Sequence, residues 1–195
     1  MPDTDTDERL LAKAAGGDEA AFQTLYLRYR DPIFRFAYRL IGSGAAAEDV
    51  THDCFLSLIR QPNKFDPQRA SFRTYLYAAA RNQSLKYFSH TGREASLDEL
   101  TNEPAIAERQ QPVHRILDAE LSVQVQQAVA DLPPLQREAL ILFEYEELSL
   151  IEVAEIVGAD VGTVKGRLFR ARERLRRDLA QYFNIGREIV TVERA

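Results

Sequence analysis

The sequence predicts an all-α protein of two small helical domains joined by a flexible acidic linker, and three observations predict it. Apolar side chains recur at three- and four-residue spacings along almost the whole chain, and no segment alternates residue by residue as a half-buried strand would. A stretch at 93–112 interrupts that repeat with Pro104, Pro112 and many charges but few large apolar residues. Charge also changes sign along the 195 residues: the net charge is −5, yet Lys and Arg gather between Arg60 and Arg93 and again after Gly158.

The bulk composition, 45% hydrophobic and 28% charged, suits a water-soluble protein with real cores. No run approaches the roughly 18 apolar residues of a membrane span, so no membrane insertion is expected. The acidic start MPDTDTDERLL lacks the basic and apolar regions of a secretion signal. A single cysteine, Cys54, excludes an internal disulfide framework and fits a reducing cytoplasm.

Each helix has its own signal. Gly17-Asp18-Glu19 opens a segment with Phe22, Leu25, Tyr26 and Tyr29 on one stripe. Asp31-Pro32 reads as a cap with proline at the first helical position, starting a second helix that carries Ile33, Phe36 and Leu40 and stops at Gly42-Ser43-Gly44. A third spans about Ala45 to Arg60, with Ala47, Val50, Cys54, Phe55 and Leu58 on its inner side and Asp49, His52, Asp53, Leu56 and Arg60 on the other. After a loop from Asn63 to Ala70, a fourth runs from Ser71 to about Ser89. Helices resume from about Val113 to Ala130, break at Leu132-Pro133-Pro134, and continue from Leu135 to Glu147. Two more, Ser149 to Val157 and Val161 to about Tyr182, complete the chain. The expected domains are 8–92 and 113–183, with 93–112 between them.

The last two helices carry the most specific pattern. Ser149-Leu150-Ile151-Glu152 is a capping box. Ala154 is small where two helices must cross closely, Gly158 suits the turn, Asp160 can cap the next helix and Val164 falls where that helix packs back, as in a helix-turn-helix. Val161, Val164, Leu168, Ala171 and Leu175 share a stripe about 80° wide that must be buried. The opposite face holds Thr163, Lys165, Gly166, Phe169, Arg170, Arg174, Arg176 and Arg177. Its early members are placed for base edges in a major groove and its later arginines for phosphates. With the Arg60–Arg93 island, two surfaces for a polyanion are expected.

The run Leu132-Pro133, Leu148-Ser149, Glu152, Ala154-Glu155-Ile156, Gly162-Thr163-Val164-Lys165, Arg167-Leu168, Arg170-Ala171-Arg172 and Leu175 resembles the −35-reading domain of bacterial sigma factors of the extracytoplasmic-function type. Gly17 to Phe22, Ala47-Glu48-Asp49-Val50 with Phe55, and Phe65-Asp66-Pro67 through Ala80-Arg81-Asn82 resemble the promoter-melting domain of the same family. The resemblance implies a transcription initiation factor that binds core RNA polymerase and directs it to −10 and −35 elements. It implies promoter DNA, the clamp coiled coil of the polymerase and an anti-sigma factor as partners, a cytoplasmic location, and no cofactor. It places −35 contacts at Thr163, Lys165, Gly166, Arg167, Phe169, Arg170 and Arg174. Single-strand −10 contacts fall on Lys64, Arg73, Tyr77, Arg81, Asn82 and Lys86, where bases for phosphates alternate with rings for unstacked nucleotides. Core binding falls on Asp49, His52, Asp53 and Leu56. The chain departs from the family at Tyr75, commonly tryptophan, at Gly166, commonly serine, and after Asn82, where an arginine cluster gives way to Gln83 to His90. That thinning predicts weaker strand electrostatics.

Two other readings remain: a sigma-like protein that titrates an anti-sigma regulator, and a free-standing helix-turn-helix regulator. An enzyme is not expected. His52, His90, His114 and Cys54 lack metal-ligand spacing, and no catalytic nucleophile has an evident base.

Overall fold

The structure, a computed structural model, describes residues 5–61, 64–90 and 123–192. The linker at 93–112 and the start of the helix expected from Val113 lie outside the described residues. Among the described residues every regular element is helical. The first four helices are α1 (Asp7–Ala15), α2 (Glu19–Ile41), α3 (Gly44–Arg60) and α4 (Phe72–His90). The second group is α5 (123–130), α6 (Pro134–Leu140), a π-helical segment Ile141–Tyr145, α7 (Leu150–Val157) and α8 (Val161–Val192).

Local chemistry sets most of the boundaries. Thr6, Asp18 and Ser43 cap α1, α2 and α3 through their side-chain oxygens. Ser71 accepts from the Thr74 amide at 3.1 Å at the start of α4. The α2 helix closes on Gly42, whose φ of 79° is the left-handed conformation that glycine takes without strain.

Two sequence expectations are corrected, and one helix that the sequence reading left unassigned is added. Asp31-Pro32 starts no new helix: Pro32 lies inside one 23-residue α2. Losing a backbone bond and crowding the preceding turn costs about 3 kcal/mol. Ala21, Leu25, Tyr29, Ile33, Phe36, Ala37 and Leu40 form one continuous buried stripe across that point, and burying even two of the large side chains offsets the cost. The acidic start holds α1, docked on α2 through Leu10 and Leu11. The helix expected from Leu135 to Glu147 changes winding at Ile141.

Helices α1 to α4 form one bundle and α6, α7 and α8 another, with α4 against α7 and α2 against the π-helical segment. The buried apolar side chains form one contiguous cluster from Leu10 to Ala171. Ala47, Val50, Cys54, Phe55 and Leu58 are all buried, as the α3 pattern requires. Burial pushes the Cys54 thiol up to about 12, so it is an inert core group at neutral pH.

Candidate nucleic-acid interface

In α7 the Ser149 hydroxyl accepts from the Glu152 amide at 3.3 Å, while the Glu152 carboxylate accepts from the Ser149 amide at 2.8 Å. Burial pushes the Glu152 carboxyl up, but the bonds from Ser149 outweigh it and hold the group below the usual range. Gly158 turns the chain at φ 64°. Asp160 then caps α8, accepting from the Thr163 amide at 2.8 Å and the Thr163 hydroxyl at 2.6 Å. Val164, Leu168 and Ala171 are buried against α6 and α7, with Val161 and Leu175 packed at the edge. This is a helix-turn-helix whose second helix turns Lys165, Phe169 and Arg170 outward.

The predicted −35 residues divide. Phe169 is 66% exposed, an apolar ring left in water on a basic face. The Arg170 guanidinium lies back over Gly166, 3.6 Å from where a side chain would begin. Arg174 is half-buried and 3.6 Å from Asp178. Thr163 is engaged in the cap. Arg167 departs from the expected face: its Nη1 is buried, and its charge acts on Glu138 of α6 rather than facing outward.

The predicted −10 residues divide too. Lys64, Asn82 and Lys86 are exposed. Arg73, Tyr77 and Arg81, spaced by four along α4, form one stripe turned toward the second bundle. Stacking by Tyr77 is corrected for this arrangement. It is 1% exposed, and its ring lies edge-on to Phe36 at 5.4 Å. Phe72 and Leu76 are fully buried, while Phe65 and Tyr75 stay half-buried beside each other.

What faces that stripe is a set of carboxylates that the sequence reading missed. The Glu146 carboxylate, 5% exposed, accepts from the Tyr77 hydroxyl at 2.6 Å and from Arg39 Nη1 at 3.2 Å, and its backbone carbonyl accepts from Arg73. Arg81 Nε lies 2.9 Å from Glu138 Oε1, an ion pair whose N–H is not aligned as a hydrogen bond. Burial pushes the Glu138 carboxyl up, and Arg81 and Arg167 pull it back. Arg137, also buried, donates to the carbonyls of Leu40 at 3.3 Å and Leu132 at 3.1 Å, and burial lowers its pKa. A signal was present: Arg137-Glu138 interrupts an apolar run ending in Ala139-Leu140-Ile141-Leu142, and charges set in such a run need partners.

A pH response follows. Burial, then the Glu146 bond, raise the Tyr77 pKa well above its ordinary value near 10. The group is more readily deprotonated in the unfolded chain, so its stabilisation is full below about pH 10 and is lost as pH rises beyond it. Tyr29, raised by burial and by Asp7, behaves alike. Urea unfolding of Tyr77→Phe against the parent chain, from pH 9 to 11, isolates the Tyr77 share: the parent is expected to lose stability more steeply.

On α3, Asp49, His52 and Asp53 are exposed and Leu56 is half-buried beside them, with Ile59 55% exposed one turn on. Among the described residues no helix is long and apolar enough to cross a membrane.

A helix-turn-helix with a basic outer face, paired with a second helical unit rich in bases and aromatic rings, defines a nucleic-acid-binding protein of two modules. Residues 25–94 match Sigma-70 region 2, and residues 122–175 match Sigma-70, region 4. Over 171 residues the chain is 33% identical to the ECF RNA polymerase sigma factor SigW of Bacillus subtilis, covering 84% of this chain and 91% of that one. It is 33% identical over 176 residues to the ECF RNA polymerase sigma-E factor of Escherichia coli, covering 86% and 91%. Among solved structures it resembles the sigma factor RpoE in complex with the anti-sigma factor NepR from Bartonella quintana (TM-score 0.67, 26% identity, 82% of this chain and 96% of that one). It also resembles CnrH in complex with the cytosolic domain of CnrY (TM-score 0.68, 25% identity, 91% and 99%). The chain belongs to the extracytoplasmic-function family of RNA polymerase sigma factors, which are transcription initiation factors.

Proposed function

We propose that the chain recruits core RNA polymerase through the α3 face of Asp49, His52, Asp53 and Leu56, and reads promoters with two separate surfaces. Residues 113–183 supply the −35 reader, in which Lys165 and Arg170 address base edges, Phe169 an apolar base or sugar edge, and Arg174 a phosphate. Residues 8–92 supply the −10 reader, in which Asn82 recognises an extruded base and Lys64 and Lys86 hold the strand. The partners are core polymerase, promoter DNA and, as for the sigma factor RpoE of Bartonella quintana, an anti-sigma factor; the site of action is the cytoplasm.

The single observation that carries this reading is the outer face of α8, where Lys165, Phe169 and Arg170 stand exposed over a helix-turn-helix whose inner residues Val164, Leu168 and Ala171 are buried. A basic face on a helix that packs so firmly is a presented surface.

Run-off transcription with bacterial core polymerase on a library of random promoters tests it. The expected result is enriched start sites sharing two spaced motifs. Lys165→Ala relaxes the upstream motif and weakens binding about 10- to 100-fold at that element, the loss of one good base contact. Asn82→Ala relaxes the downstream motif and leaves the upstream one intact. Core binding without transcripts would place the deficit in melting, at Gln83 to His90. No core binding would refute the reading.

A further inference from the structure

We propose that Arg39, Arg73 and Tyr77 form an anion cradle for a backbone phosphate of the single-stranded promoter segment, and that Glu146 fills this cradle in the closed chain as an internal stand-in for that phosphate. The proposal deepens the function above, on which it rests for the identity of the strand.

The cradle has the chemistry of a phosphate site. Two guanidinium groups, from α2 and α4, and one phenol converge on a single peptide unit and its carboxylate. Arginine and tyrosine are donors that fit phosphate oxygens, and charge-assisted bonds from arginine are the strong ones. Arg39 is held in place by stacking its guanidinium 4.5 Å above the Tyr145 ring, and Arg73 lies 5.8 Å from the Tyr77 ring. The cradle borders a cleft of about 190 Å³ to which Tyr29 and Arg35 also contribute. Arg39 holds the Glu146 carboxylate and Arg73 its backbone carbonyl, while Arg35 and a second acid, Glu147, line the same cleft; among the described residues neither Arg39 nor Arg73 forms an ion pair with another carboxylate. Positive charge remains for a larger anion.

Glu146 is placed there by a specific turn. The π-helical segment Ile141–Tyr145 ends with the Glu146 amide donating to the Ile141 carbonyl at 3.1 Å and the Leu148 amide to the Leu142 carbonyl at 3.1 Å. Between them Glu147 takes a φ of 52°, a left-handed conformation that a non-glycine residue adopts at a cost. Regular α-winding through Glu147 would aim the carboxylate elsewhere. A strained turn that delivers one acid into a basic cleft is a built contact.

Geometry makes closure and strand binding exclusive. Asn82 lies about 100° around α4 from Arg81 and Lys86 about 140° from it, so both stand on a different face of the helix from the Arg73, Tyr77 and Arg81 stripe. A strand held at Asn82 must cross around α4 to reach Arg81 and the cradle, and it does so only after Glu138 and Glu146 have withdrawn. The apparent affinity for a strand is then the intrinsic affinity reduced by the fraction of chains that are open.

The test uses the full chain, a fluorescein-labelled mixed-sequence single-stranded DNA read by anisotropy, and small-angle scattering for compactness. Glu146→Gln keeps the shape of the side chain and removes its charge. The expected result is a larger radius of gyration and DNA binding tightened about tenfold, the scale of losing a charge-assisted contact. Glu146→Ala should act in the same direction, and thermal unfolding confirms that both variants fold. Adding Arg39→Ala to Glu146→Gln should reverse the gain and reduce the salt dependence by about one phosphate contact. Expansion without tighter binding overturns the cradle, as does a gain that survives loss of Arg39. No change in either readout overturns the latch. Transcription by the parent chain with core polymerase is scored separately: its absence removes the sigma-factor function and leaves the anisotropy result standing, whereas normal transcription with unchanged Glu146→Gln binding removes only the present inference.

Discussion

Arg81→Met is expected to destabilise the closed chain by about 3–5 kcal/mol, the scale for leaving one member of a buried ion pair without its partner. Glu138 is 3% exposed, so its carboxylate has little water to fall back on, and Arg167 alone must then neutralise it. The loss has a ceiling. Once it exceeds the free energy that holds the two bundles together, they part before either unfolds, Glu138 reaches water, and a single urea transition splits into two. Glu138→Gln in the same chain should recover most of the loss, because the stranded charge is gone. Urea unfolding of the two single variants and the double variant measures this cycle. A loss below about 1 kcal/mol would mean that the pair behaves as a solvated surface bridge.

Phe36→Ala is expected to cost about 3–5 kcal/mol, the range for removing a fully buried aromatic side chain and leaving a cavity. Phe36 is 0% exposed at the middle of the α2 stripe, and its ring supports Tyr77 edge-on, a contact worth about 0.5–1.5 kcal/mol beyond burial. Because Tyr77 in turn holds Glu146, the cavity should loosen the contact between the bundles as well as the first core. Differential unfolding by urea, followed by near-ultraviolet signal from tyrosine, reads both. Phe36→Leu, which refills most of the volume, should lose far less.

Much of the fold was legible because the signals are local. Caps at Asp18, Ser43, Ser149 and Asp160 need only a side chain that reaches an amide two or three residues on, and the pattern stands in the sequence. The inner stripe of α8 was legible because helical period and hydrophobicity coincide over several turns. Where two local signals conflicted, the sequence misled. At Asp31-Pro32 a start signal competed with an unbroken stripe from Leu25 to Leu40, and burial won. In α1 the acids masked Leu10 and Leu11, which have meaning only once α2 lies beneath them.

The candidate site was legible as two basic surfaces but not in its present occupancy. Lys165, Phe169, Arg170, Asn82 and Lys86 stand exposed on helix faces that periodicity alone assigns. Arg73, Tyr77, Arg81 and Arg167 look the same in sequence, yet the first three meet buried groups of the opposite bundle and Arg167 turns inward toward Glu138 of its own. Glu138 and Glu146 are the reason, and the partners of Glu146 lie 69 and 107 residues away.

The sequence by itself determined the helices, their caps, the helix-turn-helix and the two concentrations of positive charge, since each depends on neighbours within a turn or two along the chain. Only the tertiary structure decided which of those charges face water and which are neutralised inside the molecule. An arginine carries the same charge on either face of a helix, and its role is set by the long-range packing that brings, or fails to bring, a carboxylate to within about 4 Å of it.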